Sequence, residues 1–76
     1  MISIPMLIRN GQMMTREAFA ERAGLSMRTI QQFELGALES PTNRTKAKLA
    51  KTYGLSREQV ESYAIGDYRT KVQKEM

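Results

Sequence analysis

The stretch AERAGLSMRTIQQFELG, residues 20–36, decides the fold, because it contains two helical patterns separated by only a few residues. Ala20 is small enough for a second helix to pack across the first. Gly24, four residues later, can adopt a left-handed backbone conformation that a β-carbon would disfavour by about 1 kcal/mol or more. Leu25 and Ile30 would fill the angle between the helices, and Phe33 lies one turn after Ile30 on the same face. This spacing predicts a helix-turn-helix, in which two helices cross steeply about a tight turn.

Helix start and stop signals recur on both sides of this stretch, and no segment shows the sustained alternation of a strand. The first helix is expected from about Pro5 to Gly11 or Gln12. The later helices are expected to run from capping residues to glycines: Thr15 to Gly24, Ser26 to Gly36, Thr42 or Asn43 to Gly54, and Ser56 to Gly66. The expected inward-facing residues are Ile4, Leu7, Ile8, Ala18, Phe19, Ala23, Ile30, Phe33, Ala47, Leu49, Ala50, Tyr53, Val60, Tyr63 and Ala64. The sequence predicts an all-α compact bundle of about five short helices in residues 1–66, followed by a tail, residues 67–76, that frays or joins dimer contacts.

The composition limits the classes of function. With 76 residues the chain is long enough for one domain. It contains no cysteine and no histidine, which excludes disulfides, thiolate metal sites, the usual zinc sites and histidine-based catalytic triads. Because no serine stands beside a plausible base either, we expect neither an enzyme nor a protein that holds a metal, a cofactor or a small-molecule ligand.

The charge balance and the N-terminal sequence indicate the partner and the compartment. Twelve Lys and Arg against eight Asp and Glu give a formal net charge of +4, which suits a polyanion such as nucleic acid. The opening MISIPMLI is apolar, but it lacks a basic n-region and a cleavage site, and Pro5 interrupts it. It is interpreted as neither a signal peptide nor a membrane span, so a cytoplasmic protein without a membrane partner is expected.

Three pieces of sequence lie at fixed spacings around the turn: MTREAFAERAGLSMRTIQQFELG, then Pro41, then KLAKTYGLS. Through them the chain from Thr15 to Leu55 resembles the DNA-binding domain of the lambda-repressor-like family, which includes the Cro and Xre-type regulators. The resemblance implies a bundle of four or five helices that acts as a homodimer. It also implies that the partner is double-stranded DNA containing a palindromic operator.

The resemblance further implies which side chains meet DNA. Base edges would be read by residues at the start of the third helix and one turn later, namely Met27, Arg28, Thr29, Gln31 and Gln32. Their chemistry fits, because arginine pairs with guanine, glutamine pairs with adenine, and methionine can contact the methyl group of thymine. The alternative is an ordinary solvated helix face. Phosphate contacts would come from the starts of the second, third and fourth helices, through Arg16, Ser26, Asn43 and Arg44.

Other charged residues are assigned to structure. Glu34 follows the last apolar residue of the third helix, and the resemblance implies that it pairs with Arg9. Such a pair would orient the first helix against the third more than it would stabilise the fold, because desolvation offsets most of the attraction. Lys48 and Lys51 are expected on a solvated face.

Departures from the family pattern leave two functions open. Ala37 stands where the family usually has a basic residue, Glu39 follows it, and Asn43 and Lys46 occupy positions that are usually apolar. The first hypothesis is a sequence-specific DNA-binding transcription regulator of the phage repressor or Cro type, with the helix at about 26–35 in the major groove of an operator. The alternative is a protein-interaction module, such as an antirepressor or antitoxin-like partner, that binds another regulator through the same fold. The expected homodimer contacts involve helix five and the region from Tyr63 onward, including Ile65 and Tyr68.

Overall fold

The computed structural model describes residues 3–68 of the chain. Its helices are α1 (Ile4–Gly11), α2 (Arg16–Ala23), α3 (Met27–Leu35), α4 (Asn43–Tyr53) and α5 (Arg57–Ala64). No strand is present in this part of the chain, so the predicted all-α bundle is confirmed. The predicted C-terminal tail lies outside the described residues from residue 69 onward. None of the described helices has the length and apolar character needed to cross a bilayer.

Each helix begins after a hydroxyl side chain that accepts a hydrogen bond from a backbone N–H left free in the first turn. The capping residues are Ser3, Thr15, Ser26, Thr42 and Ser56. At α5 the cap is reciprocal, because Ser56 accepts from the N–H of Gln59 and the Gln59 side chain accepts from the N–H of Ser56. These local hydrogen bonds set the start of each helix.

The core forms where α2, α3, α4 and α5 converge. Its fully enclosed side chains are Phe19, Ile30, Phe33, Leu49, Val60 and Tyr63. The Tyr53 ring lies 4.8 Å from the ring of Phe19 and 5.1 Å from that of Phe33, edge-on in both cases, a geometry that aromatic pairs favour. Ile30 and Phe33 are therefore buried as the helix-turn-helix spacing predicts.

Two residues predicted to face inward are exposed instead. Leu7 is 55% exposed because Pro5 and Arg9 form the buried side of α1, and a residue midway between them points to the opposite side. Ala47 is exposed because Leu49, two residues later and about 200° around the helix, occupies the buried side of α4. Apolar character alone was a poor guide at both positions.

The C-terminal ends of α3 and α5 meet through two glycines. Gly36 (φ +72°) ends α3, and Gly66 (φ +79°) follows α5, whose C-cap is Ile65 rather than the predicted Gly66. A β-carbon built on Gly36 would lie 2.8 Å from the Cα atom of Gly66. The N–H of Leu38 also donates to the carbonyl oxygen of Ala64 at 3.0 Å. The backbones after α3 and α5 are thus fixed to each other at a distance that leaves no room for a side chain at Gly36.

Tyr63 is fully buried, which corrects the expectation that it contributes to an exposed dimer surface. It lies on the core side of α5, and its ring centre is 5.1 Å from that of Tyr68. Its hydroxyl finds no hydrogen-bond partner within residues 3–68. A buried hydroxyl in this state costs about 1–3 kcal/mol.

We expect Tyr63→Phe to raise the free energy of unfolding by about 1 kcal/mol, because it removes the unpaired hydroxyl and keeps the ring. Urea titration followed by circular dichroism measures the change. The matched control is Tyr53→Phe, which removes a buried hydroxyl that donates to Glu34 at 2.9 Å and should therefore lower the stability. A loss of stability in Tyr63→Phe would contradict the unpaired state of its hydroxyl.

Candidate nucleic-acid interface

The outer face of α3 carries most of the side chains predicted to read bases. Arg28 and Gln31 are exposed, Met27 is 49% exposed, and Gln32 is half-buried. At about 100° per residue, Arg28 and Gln32 project away from Ile30, which is enclosed in the core. The fold therefore presents an arginine, two glutamines and a methionine together on the solvent side of one helix.

Thr29 and Ser26 are tied to each other at the start of α3. The Oγ atom of Ser26 accepts from the N–H of Thr29 at 3.2 Å, and the two hydroxyl oxygens lie 2.9 Å apart. Ser26 is exposed and Thr29 is half-buried. When Thr29 donates to Ser26, the Ser26 hydroxyl proton remains available for an anion.

Leu35 is an exposed apolar residue on the same side of α3 that sequence analysis missed. It is 61% exposed and lies seven residues after Arg28, two turns along the helix. Ile65 is 71% exposed, and it precedes Gly66 as Leu35 precedes Gly36. Because those glycines are in contact, the two exposed apolar side chains flank one junction. The helical spacing from Arg28 could have identified Leu35, but only the tertiary structure brings Ile65 to the same junction of the two glycines.

Glu34 is the buried centre of a polar cluster that joins four helices. Its carboxylate accepts from Arg9 of α1 at 2.6 and 3.1 Å, from Nε of Arg16 in α2 at 2.9 Å, and from the hydroxyl of Tyr53 in α4 at 2.9 Å. Arg9 also donates to the carbonyl oxygen of Met14 at 2.8 Å. The structure brings Arg9 and Glu34 together as the resemblance implied, and it adds Arg16 and Tyr53, which were not anticipated.

The charge state of this cluster follows from its surroundings. Burial raises the pKa of the Glu34 carboxyl, but hydrogen bonds from Arg9, Arg16 and Tyr53 outweigh it and hold that pKa below its usual value. Burial and the neighbouring Glu34 charge raise the pKa of Tyr53 well above its ordinary range. Glu34 is therefore ionised and Tyr53 protonated near neutral pH. The cluster fixes the C-terminal end of α3 to α1, α2 and α4.

Arg16, predicted to contact phosphate, belongs first to the Glu34 cluster. Its Nε atom donates to the carboxylate, and its side chain is 33% exposed. A guanidinium group has five N–H donors, so donors remain for a second acceptor while Glu34 sets the position of the group.

Arg57, the first residue of α5, lies beside the start of α4. The sequence did not indicate this position for it. Asn43 and Arg44, the predicted phosphate contacts, are both exposed. The Oδ1 atom of Asn43 accepts from Nη2 of Arg57 at 2.7 Å. Glu61 lies 3.5 Å from Nε of Arg57 and 3.0 Å from Nζ of Lys46. Asn43 thus holds Arg57 beside the first turn of α4, and no local spacing signals a pair 14 residues apart.

Lys48 was expected on a solvated face, but its side chain is half-buried and contacts another helix end. Its Nζ atom donates to the carbonyl oxygen of Gly24 at 3.3 Å, at the C-terminal end of α2. A cation at this end of a helix interacts favourably with the partial negative charge of the free carbonyl groups. Lys48 therefore connects α4 to the turn that precedes α3.

Comparison with known protein families identifies a match. A family model described as helix-turn-helix matches residues 6–63, which is more than half of the chain. The match spans α2, α3 and α4 in full and most of α1 and α5. Comparisons with curated proteins and with solved structures gave no significant match.

Proposed function

Because the chain belongs to the Cro/C1-type helix-turn-helix family of DNA-binding domains, we propose that it is a transcription regulator of the repressor or Cro type that occupies a specific operator. The observation that carries the proposal is the outer face of α3. Arg28, Gln31, Gln32 and Met27 lie there together, outside the core. Each has a side chain that matches a base edge in the major groove.

We assign the base contacts and the phosphate contacts to different side chains. Arg28 would form two hydrogen bonds to a guanine, and Gln32 would form two to an adenine. Arg44 and Asn43 would bind phosphate at the start of α4, where free backbone N–H groups also suit an anion. Arg57 donates to the Oδ1 atom of Asn43 at 2.7 Å and thereby positions the Asn43 side chain for this contact.

Arg28→Ala is expected to lower the affinity for the best duplex by about 1–3 kcal/mol and to relax the preference at one base pair per half-site, because its contact is to a base. Arg44→Ala is expected to weaken binding to all duplexes about equally, since phosphates are the same at every sequence. Selection of bound sequences from a random duplex library, followed by titration of the selected and scrambled duplexes, measures both effects.

Lys46→Ala is the matched control for this experiment. Lys46 is also a cation of α4, but its ammonium is bound to Glu61 at 3.0 Å, so its loss should change neither the selected sequence nor its affinity appreciably. If Arg28→Ala leaves the selected sequence and the affinity unchanged, the assignment of α3 as the reading helix is wrong.

We also propose that the regulator binds as a homodimer through the exposed apolar side chains Leu35 and Ile65. Tyr68 and Leu35 line one cleft with Gly66, so the apolar surface continues from the end of α3 past the end of α5. A second copy seated there would place two α3 helices in successive major grooves, with half-sites about one helical turn apart. Footprints with two such half-sites support this arrangement, and a single unrepeated site bound by a monomer contradicts it.

A protein-interaction module is the second candidate function. Ala37 and Glu39 are exposed in the segment between α3 and α4. A carboxylate close to DNA would repel phosphate, whereas it has no such cost beside a basic partner protein. Loss of binding to another regulator in Arg28→Ala, with duplex binding unchanged, would favour this candidate over the operator-binding regulator.

A further inference from the structure

A second cationic region lies between the C-terminal turns of α2 and α4. A cleft of about 320 Å³ is lined by Arg22, Ala23, Lys48, Lys51 and Thr52. Arg22 and Ala23 end α2, while Lys51 and Thr52 belong to the last turn of α4. The cleft volume lies at the lower end of the range for ligand pockets.

The positive charges of this cleft are not neutralised by carboxylates. The ion pairs in residues 3–68 involve other cations, namely Arg9, Arg16, Lys46 and Arg57. Arg22 donates instead to the side-chain oxygen of Gln12 at 3.1 Å, and Lys48 donates to the carbonyl oxygen of Gly24. Neutral acceptors hold these two groups in place, and no carboxylate of residues 3–68 lines the cleft itself.

The cleft lies toward the other end of α4 from the phosphate contacts assigned to Asn43 and Arg44. Arg44 and Lys51 are seven residues apart on α4, which places them roughly 10 Å apart along the helix axis. Glu17 and Glu21 line a neighbouring cleft on the other side of Arg22. A duplex lying across both clefts would bring its phosphates close to these two carboxylates, whereas a short segment confined to the first cleft meets lining residues that include no carboxylate.

We propose that this cleft docks an acidic segment of a partner protein. Charge complementarity selects the occupant, because Arg22, Lys48 and Lys51 surround a site with room for a few side chains. Ala23 and the methylene groups of the two lysines supply apolar contact area, and the Thr52 hydroxyl can donate a hydrogen bond to a carboxylate. The site leaves the α3 face free, so the regulator can bind an operator and a partner at the same time.

The test is a nuclear magnetic resonance titration of the full chain with a short oligoglutamate peptide at low ionic strength. The peptide should shift the amide signals of residues 22–24 and 48–52. The double variant Arg22→Gln/Lys51→Gln should lower the affinity for the peptide by roughly fivefold. This is the size expected for the loss of two exposed ion pairs. The matched control is Lys46→Gln/Arg57→Gln, which removes the same number of charges from α4 and α5 outside the cleft and should leave the peptide affinity within about twofold.

Three results would overturn the proposal. The largest shifts could fall at the starts of α3 and α4, which would place the peptide on the surface assigned to DNA. Both double variants could lower the affinity for the peptide equally, which would mean that net charge alone attracts it. Inorganic phosphate, titrated in parallel, could shift the same amides with equal affinity, which would reduce the cleft to a general anion site. None of these results depends on whether the chain binds an operator.

Discussion

Glu34→Ala is expected to lower the free energy of unfolding by about 3–5 kcal/mol, the range for breaking a buried ion pair by removing one partner. The carboxylate is shared by Arg9 and Arg16 and also accepts from Tyr53. Arg9 is 9% exposed, so water cannot replace the lost oxygen atoms freely. Because small domains have a total stability of about 5–15 kcal/mol, this variant should lie near its unfolding limit. Thermal and urea unfolding measure the loss.

Glu61→Ala is the matched control, because it also removes a glutamate that contacts two cations, Lys46 and Arg57. The Glu61 side chain is 45% exposed, and exposed ion pairs contribute little to stability. Its unfolding midpoint should therefore remain close to that of the unchanged chain. Similar losses in Glu34→Ala and Glu61→Ala would show that burial does not distinguish the two clusters.

The Glu34 cluster also gives the stability a defined dependence on pH. The pKa of Glu34 is lower in the folded chain than its ordinary value of 4.5. The ionised carboxylate therefore contributes stability above that value and loses it as the pH falls from about 4.5 toward the folded-state pKa. Acidification should destabilise the unchanged chain more steeply than Glu34→Gln, which has no carboxyl to protonate at this site. Equal slopes of stability against pH would contradict the lowered pKa.

Gly36→Ala is expected to lower the free energy of unfolding by about 2–4 kcal/mol. The left-handed conformation of Gly36 (φ +72°) costs about 1 kcal/mol for a residue with a β-carbon. The new methyl group would also lie 2.8 Å from the Cα atom of Gly66, and overpacking of this kind adds about 1–3 kcal/mol. The neighbouring atom belongs to the backbone, so it cannot move aside as a flexible side chain would. Urea titration gives the difference.

Gly54→Ala separates the two causes. Gly54 has nearly the same backbone conformation (φ +71°), but within residues 3–68 no atom outside its own chain neighbours lies within 4 Å of a β-carbon built there. We expect a loss of about 1 kcal/mol, which represents the backbone conformation alone. If Gly36→Ala and Gly54→Ala have equal effects, the close approach of α3 and α5 does not constrain the chain.

The helices could be predicted because their signals are local. Ser26 caps α3 three residues before its hydrogen-bond partner, Thr29, and Ser56 and Gln59 cap each other over the same distance. The turn at Gly24 is likewise set by the backbone of a single residue. Burial was harder to predict, because Leu7 is apolar and yet exposed.

The partners of the charged side chains could not be predicted in the same way. The contacts of Glu34 with Arg16 and Tyr53 span 18 and 19 residues, and only the packing of separate helices creates them. The family resemblance supplied the pair of Glu34 with Arg9 alone. The residues of the α3 outer face could be predicted as neighbours on one helix, because the helical period alone sets that relation.

Two glutamates that pair with cations, Glu34 and Glu61, affect how strongly DNA binding should depend on salt concentration. Glu34 and Glu61 engage Arg9, Arg16, Lys46 and Arg57 within the fold. Only cations that neutralise phosphates release the counterions condensed on a duplex. Each such contact contributes about 0.9 to the slope of log affinity against log salt concentration. With four cations held in this way, affinity should fall less steeply with added salt than a count of all twelve Lys and Arg suggests. Recognition of an operator would then depend more on fit to the bases than on general attraction to the duplex.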